Sequence, residues 1–165
     1  MRLLVILAAT AVLLAPARAA DLAQPQGPVI LTVTGNISNT NSGGEARFDL
    51  AMLENLPGRT TTTETPWTEG KVSFEGPLGQ ALLDLVGAEG DTLLVTALND
   101  YEADIPTSDF ANWPVILATH MNGEAMSVRE KGPLFVIYPV DADPTLYNEV
   151  VFSRSVWQVK TIEVR

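Results

Sequence analysis

The sequence predicts a β-rich α+β domain, and three observations carry that prediction. Short runs of β-branched and apolar residues, bounded by Gly, Pro, Asn-Asp or Asn-Gly steps, recur from residue 29 to the end. Only one stretch, Pro77 to Val86, carries a sustained apolar stripe at helical spacing. The 165 residues include no Cys, so burial rather than disulfides has to hold the core.

The elements follow in order. Val29, Leu31 and Val33 alternate with Ile30, Thr32 and Thr34, a strand stopped by Gly35. Asn36 to Gly44 reads as a loop, and Asp49 as the cap of a short helical turn over Leu50 to Leu53, ended by Pro57-Gly58. Arg59 to Thr65 is an extended threonine-rich run closed by Pro66-Trp67, and Lys71 to Phe74 is a strand ending at Gly76-Pro77. The helix begins with Pro77 at its first position, buries Leu78, Ala81, Leu82, Leu85 and Val86 on one face, and stops at Gly87. Thr92 to Leu98 is a strand, Asn99-Asp100 a turn, and Tyr101 to Ile105 a half-exposed strand closed by Pro106. Ser108 or Asp109 caps a brief turn before Trp113-Pro114. Val115 to Thr119 is apolar and ends at His120, Asn122-Gly123 makes a two-residue hairpin, and Leu134 to Tyr138 is a buried strand. Asp141 to Asn148 is a polar loop, and a last strand runs through Val159, Ile162 and Val164. The expectation is about seven strands and one good helix.

Residues 1–19 read as a secretory signal peptide. Arg2 precedes an apolar run from Leu3 to Leu14, and Ala17 and Ala19 form a small-x-small processing site. The run is shorter than the ~20 residues a spanning helix needs, so no transmembrane segment is expected in the mature chain. Residues 20–28 read as a flexible lead-in and residues 29–165 as the domain. The chain is thus expected to be exported, to the bacterial periplasm. Ten Lys and Arg against twenty Asp and Glu give a charge of −10, which repels nucleic acid and anionic membranes. A small ligand or an envelope protein remains as the partner class.

Residue chemistry narrows the function further. Without Cys there is no thiolate metal site or cysteine nucleophile, and the single His excludes a multi-histidine centre. Phosphate-cradling glycine loops and nucleophile elbows are absent. His120 would need a positioned partner such as Asp100 or Glu124 for catalysis; the plainer reading is a hydrogen-bonded histidine at a strand end. The carboxylates Asp100, Glu102, Asp104 and Asp109 suggest a cation site, but Glu102 and Asp104 fall on one solvated strand face and no oxygen-ligand loop surrounds them, so no metal is expected. Trp67, Trp113 and Trp157 are scattered and read as core or pocket wall. No catalytic residue is assigned.

Several segments in series carry a resemblance. They are Thr65-Pro66-Trp67, then Phe74-Glu75-Gly76-Pro77-Leu78 leading to Leu85-Val86-Gly87-Ala88, and Ala97-Leu98-Asn99-Asp100-Tyr101 with Ile105-Pro106. Leu117-Ala118 with Asn122-Gly123-Glu124, Gly132-Pro133-Leu134 with Tyr138-Pro139, and Trp157-Gln158-Val159-Lys160-Thr161-Ile162 complete it. Together they resemble the oxidoreductase molybdopterin-binding domain, the sulfite-oxidase-like fold, over residues 29–165. The resemblance implies a compact β-rich domain that, in the family's enzymes, holds a molybdenum–pterin cofactor for two-electron redox chemistry.

The resemblance also implies a cysteine thiolate on the metal, supplied from the segment that here is the threonine run Thr60 to Thr63. A hydroxyl is a poor substitute for that soft ligand. After Gly132-Pro133-Leu134 it implies an arginine, where Phe135 stands. Two readings follow. The first is a non-catalytic module that binds a ligand or partner, with no cofactor, in a cleft lined by Trp67, Asn99, Asp100, Tyr101, His120 and Arg129. The alternative is an oxidoreductase that binds molybdopterin without a protein thiolate, with Arg154 and Lys160 as its cofactor-binding cations.

Overall fold

The computed structural model describes residues 22–165; the signal peptide expected over residues 1–19 lies outside them. Among the described residues, no helix is long and apolar enough to cross a membrane.

A five-stranded sheet organises the chain. Its strands are β1 (Leu31–Gly35), β2 (Ala46–Phe48), β5 (Thr92–Ala97), β6 (Glu102–Pro106) and β11 (Val159–Val164), ordered β2-β1-β11-β5-β6. β1 and β11 run parallel, from Thr32 opposite Thr161 to Gly35 opposite Val164; the other pairs are antiparallel. Strand alternation sets the buried face: Leu31 and Val33 on β1, and Leu93 and Val95 on β5, are fully buried. They meet α1 (Leu50–Glu54), α2 (Gly79–Val86) and α3 (Thr107–Asn112) in one large apolar cluster.

A second sheet, β3 (Gly58–Thr63), β4 (Val72–Pro77), β8 (His120–Met121) and β9 (Glu124–Ala125), is antiparallel throughout. Between the sheets lie β7 (Ile116–Ala118) and β10 (Phe135–Ile137), paired with each other. Their period of two explains their unbroken apolar sequence. Leu117, Leu134 and Val136 enter the large cluster, while Ile116, Ala118, Phe135 and Ile137 enter a smaller one with Val72, Phe74 and Met126. Trp67 and Trp157 pack on the smaller cluster, which makes it an aromatic core.

The architecture is the expected β-rich α+β domain, with more elements than the sequence announces: eleven strands and four α-helices among the described residues. α4 (Glu149–Arg154) replaces irregular chain after Asn148, and the polar segment before it holds a 3-10 turn, Pro144–Leu146. Val29 is 46% exposed and lies outside β1. Pro77 closes β4 instead of opening the helix; Leu78, in extended conformation, is the N-cap of α2. The buried stripe is accordingly Gly79, Leu82, Leu83 and Val86, rotated from the predicted one, and Phe110 of α3 packs on Gly79. Gly87 ends the helix in the left-handed region, at φ 60, as predicted. α3 has Pro106 at its N-cap position, and Asp109 lies inside its first turn, so neither Ser108 nor Asp109 caps it.

The lead-in residues run against the sheet. The Gln26 and Gly27 amides donate to Asp49 Oδ2 at 2.7 and 2.8 Å, while Asp49 Oδ1 caps α1 through the Met52 amide at 2.9 Å. These donors, Met52 first, hold the Asp49 carboxyl below the usual carboxylate range.

Candidate functional site

Three segments distant in sequence meet beside the aromatic core and enclose a cavity of about 300 Å³. The first follows β3. Thr65 to Thr68 form a turn, with the Thr68 amide donating to the Thr65 carbonyl at 3.2 Å and the Trp67 amide donating to Thr65 Oγ1 at 3.3 Å. Trp67 projects from that turn into the wall.

The second segment is the β5–β6 hairpin. The Ala97 amide donates to the Tyr101 carbonyl at 2.9 Å, and Asp100 turns the chain at φ 64, a conformation Asp tolerates. Asn99 Oδ1 accepts the Tyr101 amide at 3.1 Å, so Asn99 and Tyr101 both face the cavity. The third segment is α4 and its exit. Asn148 caps α4 by accepting the Val150 and Val151 amides at 3.0 and 3.1 Å. Glu149, Phe152 and Ser153 then line the cavity, followed by Ser155 and Trp157. The Tyr101 hydroxyl donates to the Ser153 carbonyl at 2.8 Å, which ties the hairpin to α4.

The wall is aromatic. Trp67 meets Trp157 edge-on at 4.9 Å and Phe152 at 6.1 Å. Behind them Phe135, fully buried, packs against Trp67 at 6.0 Å, Trp157 at 6.1 Å and Phe74 at 5.7 Å. Among the described residues, Glu149 is the one charged residue lining the cavity. The volume lies at the lower end of the ~300–1,000 Å³ range of small-molecule sites.

α4 is held in place from behind by a buried polar cluster. Asp109 Oδ2 accepts the Tyr138 hydroxyl at 2.7 Å and the Arg154 guanidinium at 2.9 Å. Asp109 and Tyr138 are both buried. Burial, and then the neighbouring carboxylate, push the Tyr138 phenol far above its ordinary value, so it remains the donor.

The candidates from the sequence separate accordingly. Trp67, Asn99 and Tyr101 share the cavity. Asp100 is exposed beside it and accepts Lys160 Nζ at 2.6 Å, a contact that holds its carboxyl below the usual range and occupies Lys160. Arg154 is likewise engaged, by Asp109. His120 lies elsewhere, in an open polar groove with Glu54, Arg59 and Glu75. Its Nδ1 is 2.9 Å from Thr119 Oγ1 and 3.7 Å from Glu54 Oε1; Glu54, not Asp100 or Glu124, is the carboxylate paired with it. Arg129 stands on the exposed 3-10 turn Val128–Glu130 and lines neither concavity.

The threonine run does not reach the cavity. Thr60 and Thr62 face outward, whereas Thr61 and Thr63 are buried. The Thr61 hydroxyl has no hydrogen-bond partner. Glu149, Phe152, Ser153 and Ser155 were missing from the sequence-derived cleft; the pair Asn148-Glu149, a cap followed by a first-turn acid, is the signal that marks their helix.

The family model described as the oxidoreductase molybdopterin binding domain matches residues 40–164. Among solved structures, the chain is similar to the crystal structure of the sulfane dehydrogenase SoxCD from Paracoccus pantotrophus, with a TM-score of 0.61 and 18% identity. The match covers 81% of this chain and 37% of that one, so the chain spans little more than a third of the SoxCD chain it resembles. At that identity the likeness is one of fold. No curated protein matches the sequence.

Proposed function

Since the chain belongs to the oxidoreductase molybdopterin binding domain family, we propose that it keeps the family's scaffold as an exported, non-catalytic module that binds a small ligand in the aromatic cavity. The observation that carries this reading is the chemistry of the cavity wall. Three of the motifs that bear the family resemblance converge there, yet the wall offers aromatic rings, small polar groups and one carboxylate, with no Lys or Arg.

That donor set does not fit an anionic metal–pterin group. The chain has no sulfur of the thiolate kind, because it has no Cys. The place where the resemblance implies an arginine is Phe135, sealed among aromatic rings. Arg154 and Lys160, the cations the oxidoreductase alternative would use, are each committed to an aspartate. An anionic phosphate would have to displace those carboxylates. We therefore assign no redox step to this chain.

The test is the metal content of protein produced in a host that makes the molybdenum cofactor. The proposal expects folded protein with far less than one molybdenum per chain, recovered from the exported fraction with its N-terminus at residue 20. Stoichiometric molybdenum that survives purification, and that falls on Arg154→Ala or Lys160→Ala, would overturn it in favour of the oxidoreductase.

A further inference from the structure

We propose that the aromatic cavity selects a compact organic cation with an apolar or aromatic body, in preference to neutral or anionic molecules of the same shape. This inference rests on the ligand-binding reading above and gives its ligand a chemical class.

The four rings of Trp67, Tyr101, Phe152 and Trp157 line the cavity, and ring faces attract positive charge through their quadrupoles. One of these rings, Trp157, holds the Lys131 ammonium 5.3 Å from its centre, outside the cavity lining. Among the described residues, Glu149 places the one formal charge on the lining, and it is negative. Of the neighbouring cations, Lys160 is paired with Asp100 at 2.6 Å and Arg154 with Asp109 at 2.9 Å, which leaves Lys131, outside the lining, as the one adjacent positive charge without an ion pair among the described residues. Around this site the chain as a whole carries −10, a field that concentrates cations and depletes anions near its surface. Local lining and overall charge thus favour the same sign.

The experiment uses the full chain and three probes of one shape class: benzyltrimethylammonium, benzyl alcohol and benzoate. Calorimetric titration gives their affinities, and the indole N–H signals of Trp67 and Trp157 report where they bind. The proposal expects the cation to bind at least roughly ten-fold tighter than benzoate, with both indole signals shifting. Glu149→Gln, a change at an exposed helix position, is expected to weaken the cation roughly three-fold and leave benzyl alcohol unaffected. Benzyl alcohol or benzoate binding at these indoles as tightly as the cation would overturn the cation selectivity and leave the ligand-binding reading standing. If none of the three binds at millimolar concentration, the selectivity and the ligand-binding reading fall together.

Discussion

Tyr138→Phe is the sharpest probe of how the site is built. The substitution keeps the ring, buried to within 2% of full burial, and deletes the hydroxyl that donates to Asp109 Oδ2 at 2.7 Å. A buried hydrogen bond to a charged acceptor contributes about 1.5–3 kcal/mol net. Arg154 remains 2.9 Å from the same oxygen, so the carboxylate is not orphaned and the lower half of that range applies, about 1.5–2 kcal/mol. For a domain of this size, with roughly 3 °C per kcal/mol, the melting temperature should fall by about 5–6 °C. Thermal unfolding followed by circular dichroism measures it, and a urea series with unchanged slope would show that the loss is one of stability rather than compactness. Because Asp109 lies on α3 and Arg154 on α4, amide exchange in α4 should accelerate more than in β5 or β11. A midpoint within 1 °C of the parent would refute the reasoning, since it would mean that Arg154 alone satisfies the carboxylate.

Three more perturbations bear on the packing and the charges. Gly79→Ala should destabilise by about 1–2 kcal/mol in urea unfolding despite the better helix propensity of Ala, because a Cβ there would overlap Cδ1 of the buried Phe110 ring. Thr61→Val should raise stability by about 1 kcal/mol in the same assay by removing a buried hydroxyl without a partner; a loss would show that the hydroxyl is satisfied. Asp49 and Asp143 both have carboxyls held below their ordinary values, by the Met52 and Gly27 amides and by Thr145 respectively. A lowered folded-state value contributes stability above the unfolded value near ~3.9 and forfeits it as pH falls through the folded one. Urea midpoints should therefore drop as the pH falls below the unfolded value of about 4, and Asp49→Asn should flatten that drop.

Local signals in the sequence were legible and longer-range ones were not. The Asn122-Gly123 hairpin, the Gly87 helix stop and the two-sided burial of Leu134 to Tyr138 are written in adjacent residues, and the structure shows each of them. The first turn of α2 is not legible locally because Pro77 suits either a strand end or a helix start. What decides between them is the β3–β4 ladder, which sets Pro77 opposite Gly58, nineteen positions earlier. α4 was missed because six residues make fewer than two turns, too short for a period to register. Part of the cavity was visible, since Trp67, Asn99 and Tyr101 sit in recognisable turns. The rest depends on α4 being carried to the hairpin by the Tyr101–Ser153 and Asp109–Arg154 contacts, which span 52 and 45 residues. His120 and Arg129 have no such tether to the cavity and lie away from it.

The position of β11 has a bearing on how the chain reaches this state. Residues 159–164 supply the middle rung of the large sheet, flanked by β1 on one side and β5 on the other. A ribosome delivers those residues after the four strands they separate, so a nascent chain that stops short of them carries two half-ladders with open rims and no shared layer between them. Joining the two halves therefore needs the β1–β11 pairing, which sets Thr32 opposite Thr161, a separation of the kind that slows folding because loop closure must precede the contact.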